Sequence, residues 1–178
     1  MHRRFIDWIF DAAAWLAAAF VFAIFVVMIG GSAMRMLGLP TGGSDDIVAW
    51  FCAAAAFLAM AHTFRRGDFV RVMLGLERLG PVARRRMELL CLLVMVAFTG
   101  FLAVAAIRFV YESYALNDMA NGLIAIPLWI PQSSFVVGAL LLLVAVVDEL
   151  ATVLRGGTPA YIVAVEERHA RGDFSEDL

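Results

Sequence analysis

Four long apolar runs without a charged side chain constrain this chain more than any other feature. They cover residues 12–34, 47–64, 89–107 and 129–147 and hold 23, 18, 19 and 19 residues. About 20 helical residues, each rising ~1.5 Å, cross a hydrocarbon core ~30 Å thick. The runs mix Ala, Leu, Val, Phe and Met and lack the two-residue alternation of membrane barrel strands. We therefore predict an all-α membrane protein with four transmembrane helices, the first of them retained as an anchor.

The composition excludes several other classes of protein. Apolar residues make up 63% of the 178 residues and the mean hydropathy is +0.86, whereas soluble domains hold about 45–50% apolar residues. A net charge of −2 with no clustered basic footprint gives no reason to expect a nucleic-acid partner. Cys52 and Cys91 lie in separate apolar runs, so they form neither a disulfide framework nor a CxxC motif.

The distribution of arginine predicts the orientation, because positive residues are held on the cytoplasmic side during insertion. Twelve of the 14 arginines precede run 1, lie between runs 2 and 3 or follow run 4. Arg35 and Arg108 are the two exceptions. We therefore predict that both termini and the central loop are cytoplasmic and that the loops beginning at Arg35 and Arg108 are outside.

The central loop has a helical pattern of its own. Its apolar residues recur at helical spacing, with charged residues between them, which predicts a short amphipathic helix on the cytoplasmic membrane surface: Phe69, Val72, Met73, Leu76 and Leu79. Gly80 and Pro81 then begin the third helix, which we expect to run to about Ser113.

The chain divides into a four-helix membrane domain, residues 1–155, and a polar cytoplasmic tail, residues 156–178. Gly156, Gly157 and Pro159 are expected to stop helix 4, and the tail from Tyr161 onward is expected to fray.

The four runs contain no Asp, Glu, Lys or Arg, whereas ion-coupled transporters usually place an ionisable group at mid-membrane. This absence favours an accessory or scaffold subunit. Asp148 and Glu149, at the inner end of helix 4, are expected to reach interfacial water. His62 lacks a second histidine in the spans that could complete a haem site, and we expect it to pack between helices or at the inner interface.

Two groups of charged residues are candidates for contact with partners. Asp45 and Asp46 either stabilise the start of helix 2, with Ser44 as a cap, or contact a partner. With two arginines they form the candidate periplasmic set: Arg35, Asp45, Asp46 and Arg108. The candidate cytoplasmic set for phospholipid contact is Arg65, Arg66, Arg71, Arg84, Arg85 and Arg86.

The order of the loop motifs resembles a known family. Arg35 follows helix 1, Asp45-Asp46 opens helix 2 ahead of Trp50, and the segments Arg65-Arg66-Gly67-Asp68-Phe69-Val70-Arg71-Val72 and Ile126-Pro127-Leu128-Trp129-Ile130-Pro131 follow in order. Over about residues 5–155, these motifs resemble the small membrane subunit of tripartite ATP-independent periplasmic (TRAP) transporters.

The resemblance implies a bacterial or archaeal inner-membrane complex of three parts. A periplasmic solute-binding protein would capture an organic acid, and a large elevator-type membrane subunit would carry the substrate and sodium sites. This chain would brace the large subunit without binding a cofactor, and its outer charges would be available to the binding protein.

Two other classes remain open from the sequence. One is an autonomous homo-oligomeric channel or exporter with pore polarity from Ser, Thr and backbone groups. The other is a membrane-bound enzyme or haem-carrying subunit, which would show a chromophore or a metal.

Changing Arg84, Arg85 and Arg86 to neutral glutamine in one variant is expected to reduce the fraction of chains with the predicted orientation or to weaken their contact with anionic lipids. The reason is that these charges are predicted to lie beside a cytoplasmic leaflet of negative potential. Cysteine accessibility and retained lipid are the measurements. Unchanged topology, complex yield and lipid content would mean that the three charges are merely solvated.

Overall fold

The structure, a computed structural model, describes residues 2–67, 80–121 and 124–170 and is built from α-helices. Four helices are long and apolar enough to cross a membrane, which confirms the predicted fold class. The described helices are α1 (His2–Met36), α2 (Ser44–Arg66), α3 (Pro81–Ala115), α4 (Trp129–Leu154) and α5 (Ala160–Ala170).

The helix ends follow local sequence signals. Pro81 stands in the first turn of α3, where its missing N–H costs no hydrogen bond. Gly67 and Gly156 follow α2 and α4 with φ of 78° and 80°, a left-handed conformation that glycine adopts without steric cost. The predicted start of helix 3 and the predicted stop of helix 4 are confirmed.

The four long helices form an open row rather than a closed bundle. α1 packs along α2, α2 along α4, and α4 along α3. Among the described residues, α1 and α3 make no extensive contact with each other. The row therefore runs α1, α2, α4, α3, with α2 and α4 inside and α1 and α3 at its two edges.

Close contact between α2 and α4 depends on a glycine. A Cβ at Gly138 of α4 would collide with the backbone carbonyl of Phe57 in α2, so only glycine allows this approach. The neighbouring rings of Phe57 and Phe135 have centroids 4.9 Å apart. Small residues at helix contacts allow strong van der Waals packing where lipid supplies no hydrophobic force between helices.

The connection between α3 and α4 folds back on itself. Met119 and Pro127 form an isolated antiparallel bridge, and the N–H of Leu128 donates to the carbonyl of Asp118 at 2.9 Å. This connection brings the start of α4 beside the end of α3, where the rings of Tyr114 and Trp129 meet edge to face at 5.9 Å.

The segment after α4 differs from the frayed tail expected from the sequence. Ala160–Ala170 forms α5, which packs against α2. Tyr161 is 3% exposed and its ring lies 6.0 Å from that of Phe64. Burial of this aromatic ring orders the segment despite its polar composition.

Two expectations are left as predictions by the structure. The amphipathic surface helix predicted around Phe69–Leu79 lies outside the described residues. The cytoplasmic position of both termini remains a prediction from the arginine distribution. The end of the row at which α1 and α3 begin is therefore called the predicted cytoplasmic end.

Gly138→Ala is expected to destabilise the protein by about 1–3 kcal/mol, because the added methyl group collides with the α2 backbone and forces the two helices apart. Thermal unfolding in detergent measures the change. Gly100→Ala is the matched control, since no atom outside the surrounding turns of its own helix lies within 4 Å of the added Cβ and alanine favours a helix. Equal stability of the two variants would contradict the close approach.

Candidate functional site

Charged side chains from three helices meet at the predicted cytoplasmic end of the row. Arg65 of α2 forms an ion pair with Asp7 of α1, and its Nε lies 4.0 Å from Oε1 of Glu149 on α4. The Arg65 side chain is only 14% exposed and that of Glu149 only 1%. We call Asp7, Asp11, His62, Arg65 and Glu149 the polar junction.

The junction follows from the helical spacing of its members. Asp7 and Asp11 stand four residues apart on α1, and His62 and Arg65 three apart on α2, so each pair shares one helix face. Because the helices are antiparallel, Asp7 meets Arg65, while Asp11 Oδ1 lies 3.3 Å from His62 Nδ1. The prediction was that His62 packs between helices or at the inner interface, and the structure shows the contact between helices. This contact becomes an ion pair when the imidazole is protonated.

An aromatic ring supports the buried guanidinium. The Arg65 Cζ lies 5.1 Å from the centroid of the Phe10 ring, and Phe10 is 3% exposed. A guanidinium over an aromatic face is attracted by the ring quadrupole, and the attraction strengthens where water is excluded. Arg65 is therefore held by two helices at once.

Glu149 does not reach interfacial water as the sequence suggested. Its Oε2 accepts a hydrogen bond from the backbone N–H of Ala160 at 2.9 Å, at the first residue of α5. A carboxylate at a helix N-terminus satisfies an otherwise unpaired N–H and complements the helix dipole. The expectation was wrong because the chain turns back after α4 and covers this carboxylate; Asp148 beside it is half-buried.

Further hydrogen bonds tie α3 to the same end. The Tyr161 hydroxyl of α5 donates to Glu88 Oε1 at 2.8 Å, and Arg85 Nη2 donates to the Val153 carbonyl at 3.4 Å. Together with the polar junction, these contacts link all five described helices at one end. Of the predicted lipid-contact residues, Arg65 is thus engaged mainly with protein and Arg85 partly so.

The remaining predicted lipid-contact residues have different positions. Arg66, Arg84 and Arg86 are exposed, at the end of α2 and the start of α3. Arg71 lies outside the described residues. Lipid contact by these arginines stays a prediction.

The opposite end holds the predicted periplasmic set, and the structure brings two of its members together. Arg35 Nη2 lies 3.9 Å from Asp45 Oδ1, with both side chains largely exposed, and Arg35 Nε donates to Thr41 Oγ1 at 3.2 Å. Such exposed ion pairs contribute little to stability. Asp46 is half-buried nearby in α2, whereas Arg108 is exposed on α3, about two turns before that helix ends.

Ser44 does not act as the predicted cap of α2. Its hydroxyl donates to the carbonyl of Thr41 at 3.0 Å, and Gly43 occupies the capping position.

Sequence reasoning missed Asp7, Asp11, Glu88 and Tyr161 as contact residues. A signal for Asp7 was present, since two carboxylates four residues apart on α1 match a histidine and an arginine three apart on α2. Among the residues that the structure describes, no cluster of three or more His, Cys, Asp or Glu is arranged to hold a metal ion.

Four long apolar helices, three of which meet in a charged junction at one end, define a multi-pass membrane protein, consistent with the bacterial inner membrane. Residues 24–156 match the family described as tripartite ATP-independent periplasmic transporters, DctQ component. The chain belongs to this family, the small membrane component of TRAP transporters. Comparison with curated proteins finds no match.

Family membership confirms the resemblance seen in the loop motifs. It makes the chain a component of a transport system, in a family of transporter components rather than enzymes. Systems of this family also contain a large membrane subunit and a binding protein.

Arg65→Ala is expected to destabilise the protein by about 3–5 kcal/mol, because it removes the guanidinium beside the buried Glu149 carboxylate. Unfolding in detergent is the measurement. Adding Glu149→Gln should recover part of the loss, since the amide oxygen still accepts the Ala160 N–H and no charge remains buried.

Arg35→Ala is the matched control for this variant. It breaks an exposed arginine–carboxylate pair and should change stability little. If the Arg65 and Arg35 variants were equally stable, the polar junction would not be a structural tie.

Proposed function

We propose that this chain is a non-catalytic brace for the large, elevator-type permease subunit of a sodium-coupled transporter that takes up organic acids delivered by a binding protein. In this proposal the sodium and substrate sites belong to the large subunit. The chain itself remains fixed while part of its neighbour moves.

An exposed stripe on α1 carries the proposal. Every seventh residue of this edge helix presents a large apolar side chain that no other described helix covers: Trp8, Trp15, Phe22, Ile29 and Met36. Side chains repeating at seven residues lie on nearly one face of a helix and suit packing against a second, nearly parallel helix. The stripe thus offers a docking face about as long as the membrane is thick.

Two features support the assignment of bracing to this chain and of ion coupling to the large subunit. At the predicted cytoplasmic end, the polar junction connects α1 to α2 and α4. A force that the large subunit exerts on α1 is therefore resisted by the inner helices as well. The spans of this chain hold no Asp, Glu, Lys or Arg between residues 12–34, 47–64, 89–107 and 129–147. Ion coupling by charged groups is therefore assigned to the large subunit.

The opposite end carries the charges available for docking a binding protein. Arg35, Asp45, Asp46 and Arg108 lie in or near the outer connections, and complementary charges raise the rate at which two proteins associate. We assign them an auxiliary role in this contact.

Reconstitution tests the brace. Proteoliposomes holding this chain and a large permease subunit encoded with it, supplied with the binding protein, should take up labelled organic acid when a sodium gradient is imposed. Liposomes holding this chain alone should show no uptake, because its spans lack the groups that would couple to sodium. Uptake by this chain alone would refute the assignment.

The same preparation locates the docking face. With Cys52 and Cys91 replaced by alanine, a benzophenone label on Phe22→Cys should cross-link to the large subunit, while a label on Ala17→Cys, which is buried, should not. Adducts joining only copies of this chain would instead support the homo-oligomeric channel.

A further inference from the structure

A groove opens between α1 and α2 beside the polar junction, and the side chains that line it change from charged to apolar along its length. A cavity of about 360 Å³ is lined by Asp11, His62 and Arg66 at one side and by Ala14, Trp15 and Ala18 at the other. A second, smaller space continues from it along Asp7, Phe10 and Arg65. The groove is thus charged at the predicted membrane surface and apolar toward the bilayer interior.

The order of these residues along α1 gives the groove a direction. Asp11 lies one turn nearer the start of the helix than Ala14 and Trp15, and Ala18 follows one turn deeper. An amphiphile placed with its head at the membrane surface meets charged groups first and apolar groups next. The small alanine side chains leave room for an acyl chain against the helix, and Trp15 is a typical residue of the membrane interface.

The charged part of the groove presents both signs. The Asp11 side chain is 63% exposed while it contacts His62, so its carboxylate has room to accept a second donor. Arg66 supplies a guanidinium, which binds phosphate oxygens in a fork geometry. A carboxylate beside a guanidinium matches a head group that carries an ammonium next to a phosphate.

We infer that this groove is a binding site for a zwitterionic phospholipid, phosphatidylethanolamine, with its ammonium at Asp11, its phosphate at Arg66 and an acyl chain along Ala14 and Ala18. A bound lipid would fill the space between α1 and α2 at the point where the edge helix joins the row. The inference does not depend on the proposed function, since it concerns this chain by itself.

Native mass spectrometry of the delipidated full-length chain in detergent tests the site. Titration with phosphatidylethanolamine, phosphatidylglycerol and soluble phosphoethanolamine separates the head group from the lipid. Phosphatidylethanolamine should bind about tenfold more tightly than phosphatidylglycerol, because only its ammonium pairs with Asp11. Phosphoethanolamine should bind far more weakly, because it lacks acyl chains.

Variants test the two halves of the groove separately. Asp11→Asn should abolish the preference between the two lipids, whereas Glu112→Gln, a change at an exposed carboxylate of α3, should keep it. Ala18→Phe should lower the binding of both lipids at least tenfold by filling the apolar part, whereas Ala33→Phe, at an exposed alanine near the other end of α1, should not. Arg66→Gln should weaken the binding of both lipids, because it removes the guanidinium that binds their phosphate in this proposal.

Several outcomes would overturn the inference. If the unaltered chain bound the two lipids with equal affinity, Asp11 would not select the head group. If it bound phosphoethanolamine as tightly as phosphatidylethanolamine, the site would recognise the soluble head group rather than the lipid. If Ala18→Phe left lipid binding unchanged but prevented association with the large subunit, the groove would be a protein contact.

Discussion

The lipid environment removes the force that assembles most soluble helical proteins, and this constraint explains how the row is held together. Apolar side chains gain little by leaving hydrocarbon for the interior of the protein, so helices associate through close packing and polar contacts. Gly138 provides the first of these, at the contact of α4 with Phe57. Arg65 and Glu149 provide the second, at one end of the same pair of helices.

The position of the charged contacts follows from the same constraint. Ionised groups are costly at the bilayer centre and tolerable near its surface, and the polar junction lies at the ends of the apolar spans. There the buried Glu149 receives a cation from α2 and a backbone N–H from α5. The junction thus connects the start of α1 to the two inner helices, and Glu149 also binds the first residue of α5.

The open row gives the chain two edge helices, α1 and α3. In a closed bundle each helix would have two neighbours, whereas α1 has one extensive contact among the described helices. This geometry suits a component of a larger assembly, in agreement with the family to which residues 24–156 belong. A lipid at the joint of α1 and α2 would occupy space that the open edge leaves unfilled.

The sequence by itself determined the four spans, most helix ends and the family, because these depend on local properties: the length of an apolar run, a proline at Pro81, a glycine at Gly156. It also predicted that His62 packs between helices or at the inner interface. Only the tertiary structure decided the order of the row, the burial of Glu149 and the folding of Ala160–Ala170 into α5. Each of these depends on which distant residues meet, and uniformly apolar spans such as α3 present no distinct face from which neighbours could be deduced. Tyr161 illustrates the reason, since its burial requires a pocket formed by helices far away in the sequence.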